Sequence, residues 1–182
     1  KIGCHFMAFP AFKWICGPTG VGVFYCSKKA AELLEPPSVG GESATLSDGT
    51  LAYMEMPARL QAGFRNFPGA AGLDAALRYV LGIGIGRIRR SNMKVADALR
   101  QEAGRLAGVR LHGPDDPARR TSIVSFTTPK DPSYVVRRLE EKGIVLAARD
   151  IGAGRKAVRA SPHFFNTEQE AARVAAQVRR LF

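Results

Sequence analysis

Two short apolar runs open the chain. Residues 3–9 and 21–26 are rich in aromatic and aliphatic side chains and bounded by Gly and Pro, the pattern of packed strands. The stretch Lys13–Gly20 between them carries Gly17, Pro18 and Gly20 and predicts a turn. Ser27 is placed to cap a short helix running to about Leu34, stopped by Pro36-Pro37. Residues 38–67 hold no clean period and contain Gly40-Gly41, Asp48-Gly49 and Pro57, so they are expected to be functional or interfacial irregular structure.

Helical spacing begins at Pro68. Ala71, Leu73, Ala75, Ala76, Leu77, Tyr79, Val80 and Leu81 make a helix that is apolar on most sides, which predicts burial. Gly82, Gly84 and Gly86 punctuate its exit, and a longer helix follows, with Ile85, Ile88, Val95, Leu99, Ala103 and Leu106 on one stripe. The remainder alternates. Strands are expected at Val109–His112, Thr121–Thr127, Ile144–Ala148 and Ala157–Ser161, with helices at Pro132–Lys142 and Thr167–Phe182. Thr167 and Glu170 match a capping box. This order predicts a small sheet with helices on one face, an α+β unit.

Composition narrows the class. The 182 residues are 46% hydrophobic and 24% charged, the balance of a globular protein. No apolar run is long enough to span a bilayer and no charged-then-apolar leader is visible, so no membrane association is expected. Strand character from Ile2 onward suggests that the chain is a portion of something longer. Cys4, Cys16 and Cys26 lie in apolar surroundings without metal-ligand spacing, which predicts reduced core cysteines, a cytoplasmic location and no metal.

The net charge of +11 raises nucleic-acid binding as a rival, with the chain a non-catalytic basic module. Its arginines, however, are scattered over several helices: Arg87, Arg89 and Arg90, Arg100 and Arg105, Arg137 and Arg138, Arg179 and Arg180. No aromatic residues interleave with them as a stacking platform, so solvated helix faces explain the charge and no nucleic-acid partner is expected.

Lys13 carries the chemistry. It is the one charged residue between Phe6 and Phe24. Burying an unpaired ammonium costs several kcal/mol (about 2–7 for a polar group alone) or forces deprotonation. An amine pushed toward neutrality is the nucleophile that Schiff-base chemistry requires.

Two segments then act together. Phe12-Lys13-Trp14-Ile15-Cys16-Gly17-Pro18-Thr19-Gly20-Val21-Gly22 and Val158-Arg159-Ala160-Ser161-Pro162-His163-Phe164-Phe165-Asn166-Thr167-Glu168 stand near opposite ends of the chain. With Pro57-Ala58-Arg59-Leu60-Gln61-Ala62-Gly63-Phe64-Arg65-Asn66 ahead of an Ala-rich helix, they resemble the class V aminotransferases. That family belongs to the fold type I pyridoxal 5'-phosphate (PLP) enzymes and includes cysteine desulfurases, kynureninases and isopenicillin-N-epimerase-like proteins. The resemblance runs over essentially the whole chain but matches only the C-terminal half or so of such an enzyme.

The resemblance implies an α/β, PLP-dependent transferase-like fold. Residues 1–86 would end the large cofactor domain, and residues 87–182 would form the linker helix and small α+β domain. Lys13 would hold PLP covalently and move a proton at the substrate α-carbon. Phe12, Gly17 and Gly63 would lie at the cofactor, with Gly17, Gly20 and Gly22 allowing close backbone approach. Arg159 would grip the carboxylate of an amino-acid substrate through its planar fork. The implied activity is aminotransferase-like chemistry at the α-carbon, with epimerase, kynureninase-like or C–S lyase activity as alternatives, in a homodimer. Asn166 and Thr167 are read chiefly as helix-capping residues, and His163 as structural.

Departures sharpen these expectations. Where relatives often carry a serine and a histidine before the lysine, this chain has Pro10 and Phe12; where they often carry a threonine after the glycine matching Gly63, it has Phe64. None of the three side chains can hydrogen-bond a phosphate. Desulfurases need a nucleophilic cysteine ahead of the Arg159 strand, and residues 149–157 contain none, so persulfide chemistry is not expected. The aspartate that pairs with the pyridine nitrogen lies upstream of the lysine in relatives. The 182 residues alone are therefore expected to be inactive.

Overall fold

A computed structural model describes residues 2–182. The chain divides into two compact units, one up to Gly82 and one spanning Ile83–Phe182. The division falls a few residues before the expected one, close to Gly84, whose φ of 90° interrupts helical geometry between two long helices.

The first unit begins with an antiparallel pair, β1 (Phe6–Pro10) and β2 (Gly22–Cys26), in register from Phe6 opposite Cys26 to Pro10 opposite Gly22. β1 starts later than its apolar run suggests: Gly3 takes φ 75°, which extended strand geometry does not accommodate. A short helix α1 (Lys28–Ala31) follows, and the Ser27 side chain accepts from the Ala30 N–H at 3.3 Å. Residues 38–67 are not irregular throughout. They contain a hairpin of β3 (Ala44–Ser47) and β4 (Thr50–Tyr53), and a 3-10 turn at Ala58–Leu60. Asp48 and Gly49 both take positive φ, 49° and 76°, as a tight two-residue hairpin turn requires.

Helix α2 (Phe67–Ile83) starts at Asn66, whose Oδ1 accepts from the Gly69 N–H at 3.0 Å. Within its unit it packs where it is thinnest: a Cβ added at Gly72 would stand 3.1 Å from Pro18 Cγ, and one at Gly69 would collide with Val21 and Asn66. The expected all-round burial is not observed. Only Gly69 and Val80 are buried, and Tyr79 and Leu81 are exposed, because this unit packs one side of a helix that is apolar on several.

The second unit is the predicted α+β arrangement. Its antiparallel sheet has the order β5-β6-β8-β7: β5 (Arg110–His112), β6 (Val124–Thr127), β8 (Lys156–Ala160) and β7 (Ala147–Asp150). Helices α3 (Ile85–Gly104), α4 (Pro132–Glu140) and α5 (Glu168–Arg179) supply the other half of the core. On α3 the buried stripe runs Ile88, Asn92, Val95, Ala96, Leu99, Ala103, at helical spacing. It meets Val124, Phe126 and Val158 of the sheet, Val135 and Leu139 of α4, and Ala171 and Val178 of α5.

Strand β7 begins later than expected. Gly143 takes φ 71°, and the Ile144 N–H returns to the Leu139 carbonyl at 3.0 Å. This is a Schellman-type helix end that uses Ile144 as a core plug before the strand starts. At α5 the expected capping box is present: Thr167 Oγ1 accepts from the Glu170 N–H at 3.2 Å, and Glu170 accepts from the Thr167 N–H at 2.7 Å.

Candidate active site

Lys13 sits at the tip of a closed loop. The Ala11 N–H donates to the Val21 carbonyl at 3.0 Å, and the Ala11 carbonyl accepts from the Gly17 N–H at 2.9 Å. Ala11 is wholly buried, so the chain is pinned at that residue and residues 12–16 turn outward. A further bond, Cys16 N–H to the Lys13 carbonyl at 3.1 Å, closes the tip. Gly17 has no spare room, since an added Cβ would lie 3.0 Å from the Ala11 Cβ and 3.1 Å from its carbonyl oxygen.

This geometry corrects two expectations. Lys13 is exposed in this chain rather than lodged among apolar groups; its Nζ lies 5.7 Å from the centre of the Phe12 ring, a cation–π distance. Cys16 is likewise exposed, with φ 59°, and is not a core cysteine; Cys4 and Cys26 are half-buried, and all three are free. The cause is the same. The Ala11 pin faces inward and throws Phe12, Lys13, Trp14 and Cys16 toward the surface.

Gly63 lies in the same unit, and no atom stands within 4 Å of where its Cβ would be. The Gln61 amide donates to the Gly63 carbonyl at 2.6 Å, and Arg65 pairs with Glu42 at 2.9 Å on either side of it. Phe64 is 90% exposed. Pro10, Phe12 and Phe64 provide no side-chain donor, so these three positions offer nothing to a phosphate.

Arg159 belongs to the second unit. It lies on β8, opposite Ser125 of β6 on one side and Ala147 of β7 on the other. Cross-strand partners share a face, so Ser125, Thr127, Arg110, His112 and Arg149 face the same way as Arg159. Val124, Phe126 and Val158 take the opposite face, in the core. The sheet thus presents its arginines on one side. Arg159 is half-buried, and its Nε is buried with no hydrogen-bond partner among the described residues. Such a donor costs about 1–3 kcal/mol until something accepts from it.

Ser125 was not anticipated. Its signal was present in Val124-Ser125-Phe126, a polar residue alternating with two fully buried ones, which fixes its direction once β6 is recognised as half-buried.

The family model for aminotransferase class-V matches residues 1–174. The chain belongs to that family. Among its relatives is a probable cysteine desulfurase of Methanothermobacter thermautotrophicus, 33% identical over 93% of this chain and 45% of that protein. The apo structure of the cysteine desulfurase from Thermococcus onnurineus NA1 superposes with a TM-score of 0.89 at 32% identity, over 97% of this chain and 46% of that one. The cystine C–S lyase C-DES, in complex with its reaction product cysteine persulfide, superposes at 0.80 with 27% identity, over 94% of this chain and 45% of that one. A lysine-to-alanine variant of that lyase carries glycine covalently linked to the PLP cofactor. The fold is therefore that of the fold type I PLP enzymes, as the sequence resemblance implied. The chain spans slightly less than half the length of these relatives.

Proposed function

We propose that this class V chain supplies the lysine and the carboxylate-binding arginine of a PLP-dependent enzyme acting at the α-carbon of an amino acid. The observation that carries the reading is the Lys13 loop. An exposed primary amine stands at the tip of a turn fixed by the Ala11–Gly17 and Ala11–Val21 bonds, inside the segment matched by the family model.

The residues present fit the cofactor in part. Lys13 offers the covalent anchor, and Gly63 leaves open space where a Cβ would stand. The phosphate would be held elsewhere, since Pro10, Phe12 and Phe64 carry no suitable side-chain donor. Bound PLP supplies an electron sink for the substrate α-carbon. Lys13 Nζ would take and return the α-proton, and the rigid loop would keep that nitrogen at a constant position. Arg159 would orient the substrate through its carboxylate, giving the buried Nε its missing acceptor. Phe12, stacked below the ammonium, would restrict how Lys13 swings.

A second reading refines the reaction. The relatives are named as desulfurases and as a C–S lyase, which favours cysteine or cystine as substrate. The connection from β7 to β8 is a tight turn, with the Ile151 N–H bonded to the Arg155 carbonyl at 2.9 Å, and residues 149–157 contain no cysteine to carry sulfur. C–S lysis with sulfur released on a small product therefore fits better than relay through an enzyme persulfide.

The test is to supply the full-length protein with PLP and cystine, and separately with an α-amino acid and an acceptor keto acid. Pyruvate, ammonia and persulfide from the first mixture mark C–S lysis; amino-group transfer in the second marks an aminotransferase. No turnover of any amino acid contradicts the proposal.

A further inference from the structure

The second unit holds a strongly basic cavity. Its volume is about 330 Å³, and its walls carry Arg100, Arg119, Arg120 and His112 together with the hydroxyl residues Thr121 and Ser125. No carboxylate lines it among the described residues. Three guanidinium groups around one hollow repel each other unless an anion lies between them.

The internal bonds leave that charge unspent. Arg120 is fixed by backbone carbonyls alone: its Nε donates to Pro114 at 2.8 Å, and its Nη2 to Asp115. Arg100 reaches the Ile123 carbonyl through Nη2 at 3.4 Å, while its Nε is buried without a hydrogen-bond partner among the described residues. The ion pairs among the described residues involve none of the three arginines. No carboxylate among the described residues forms an ion pair with these arginines, although Asp97 acts on Arg100 through its charge. Asp97 lies one helical turn before Arg100 on α3, and Asp116 accepts from the Ala118 N–H at 2.9 Å. Burial and the neighbouring Arg120 lower the Arg100 pKa, Asp97 opposing them; burial, Arg110 and Arg155 lower that of His112.

We infer that the Arg100–Arg119–Arg120–His112 cavity binds a small dianion, a phosphate or dicarboxylate group on a small molecule. Arg120 is held at the wall by its carbonyl bonds, Arg119 lines the wall beside it with an exposed side chain, and Thr121 and Ser125 offer hydroxyl donors. The volume suits a metabolite-sized ligand. Ser125 is shared with the Arg159 row of the sheet, so the site lies one strand away from the proposed carboxylate grip. The inference does not depend on the PLP reading.

The experiment is calorimetric titration of the 182-residue chain with inorganic phosphate and with malonate at low ionic strength. One saturable site is expected, with the tighter of the two anions identifying the ligand class. Arg119→Glu should weaken it at least tenfold and Arg119→Ala severalfold. Lys29→Glu, the same charge reversal on the exposed face of α1, should leave it unchanged. The inference is overturned if neither anion binds, if both charge reversals weaken binding equally, or if Arg159→Gln abolishes binding that Arg119→Glu retains.

Discussion

Arg159 on β8 stands directly across from Ser125 on β6, and both face away from the hydrophobic core beneath Val124 and Phe126. The sheet therefore does two jobs with its two faces. One holds the second unit together, and the other displays a half-buried guanidinium whose Nε has no acceptor among the described residues.

Removing that guanidinium is expected to weaken amino-acid binding by about 2–5 kcal/mol, the usual cost of breaking a buried charged pair. Arg159→Lys should recover little, since an ammonium cannot reproduce the planar two-point contact. Substrate affinity in the full-length protein checks this, with an amine lacking the carboxylate as the comparison. That analogue should be unaffected by either substitution. Unchanged amino-acid affinity in Arg159→Ala removes the assigned role.

The Lys13 loop depends on Gly17. An alanine there puts its methyl 3.0 Å from the Ala11 Cβ, against a residue that is itself pinned and wholly buried. Gly17→Ala is expected to cost about 1–3 kcal/mol of stability through overpacking. Urea unfolding of the chain measures this. A neutral result would show that the loop yields and does not fix the lysine.

At the other end, Thr167 and Glu170 close the start of α5. Thr167→Ala should destabilise the chain by about 0.5–2 kcal/mol. Thr167→Ser, which keeps the hydroxyl, should restore most of the loss. Thermal unfolding of the three proteins compares them directly.

Acid should destabilise the chain in two steps. Burial, with Arg110 and Arg155 nearby, holds the His112 pKa below its ordinary 6.5, so the unfolded chain takes up that proton first. The associated stability is present above that value and falls as the pH drops below it. Glu170 is held below its ordinary 4.5 by hydrogen bonds from the Thr167 backbone, the Thr167 hydroxyl and Asn166. Its contribution is present above that value and disappears as pH falls through the depressed one. Urea midpoints from pH 8 to pH 3 test both: His112→Gln should flatten the upper limb and Glu170→Gln the lower.

Much of the second unit was legible in the sequence because its signals are local. The stripe from Ile88 to Ala103 and the Thr167–Glu170 box each act within a few residues of themselves. The hairpin at Asp48-Gly49 was legible only as a turn, because strands of four residues with mostly exposed side chains show no hydrophobic alternation. Lys13 was placed by motif but not by environment. Its apolar neighbours suggested burial, yet the direction of the loop is set by hydrogen bonds from Ala11 to Val21 and Gly17, which composition does not encode. The basic cavity was invisible for a related reason: Arg100, Arg119 and Arg120 are spread along the sequence and converge only when α3 packs beside the end of β5.

Lys13 is proposed as the covalent anchor for PLP. Borohydride reduction of the PLP-loaded full-length protein, followed by peptide mapping, reads it out directly. A single stable pyridoxyl adduct is expected on the peptide containing Lys13, absent from Lys13→Ala. An adduct at another lysine, or none, contradicts it.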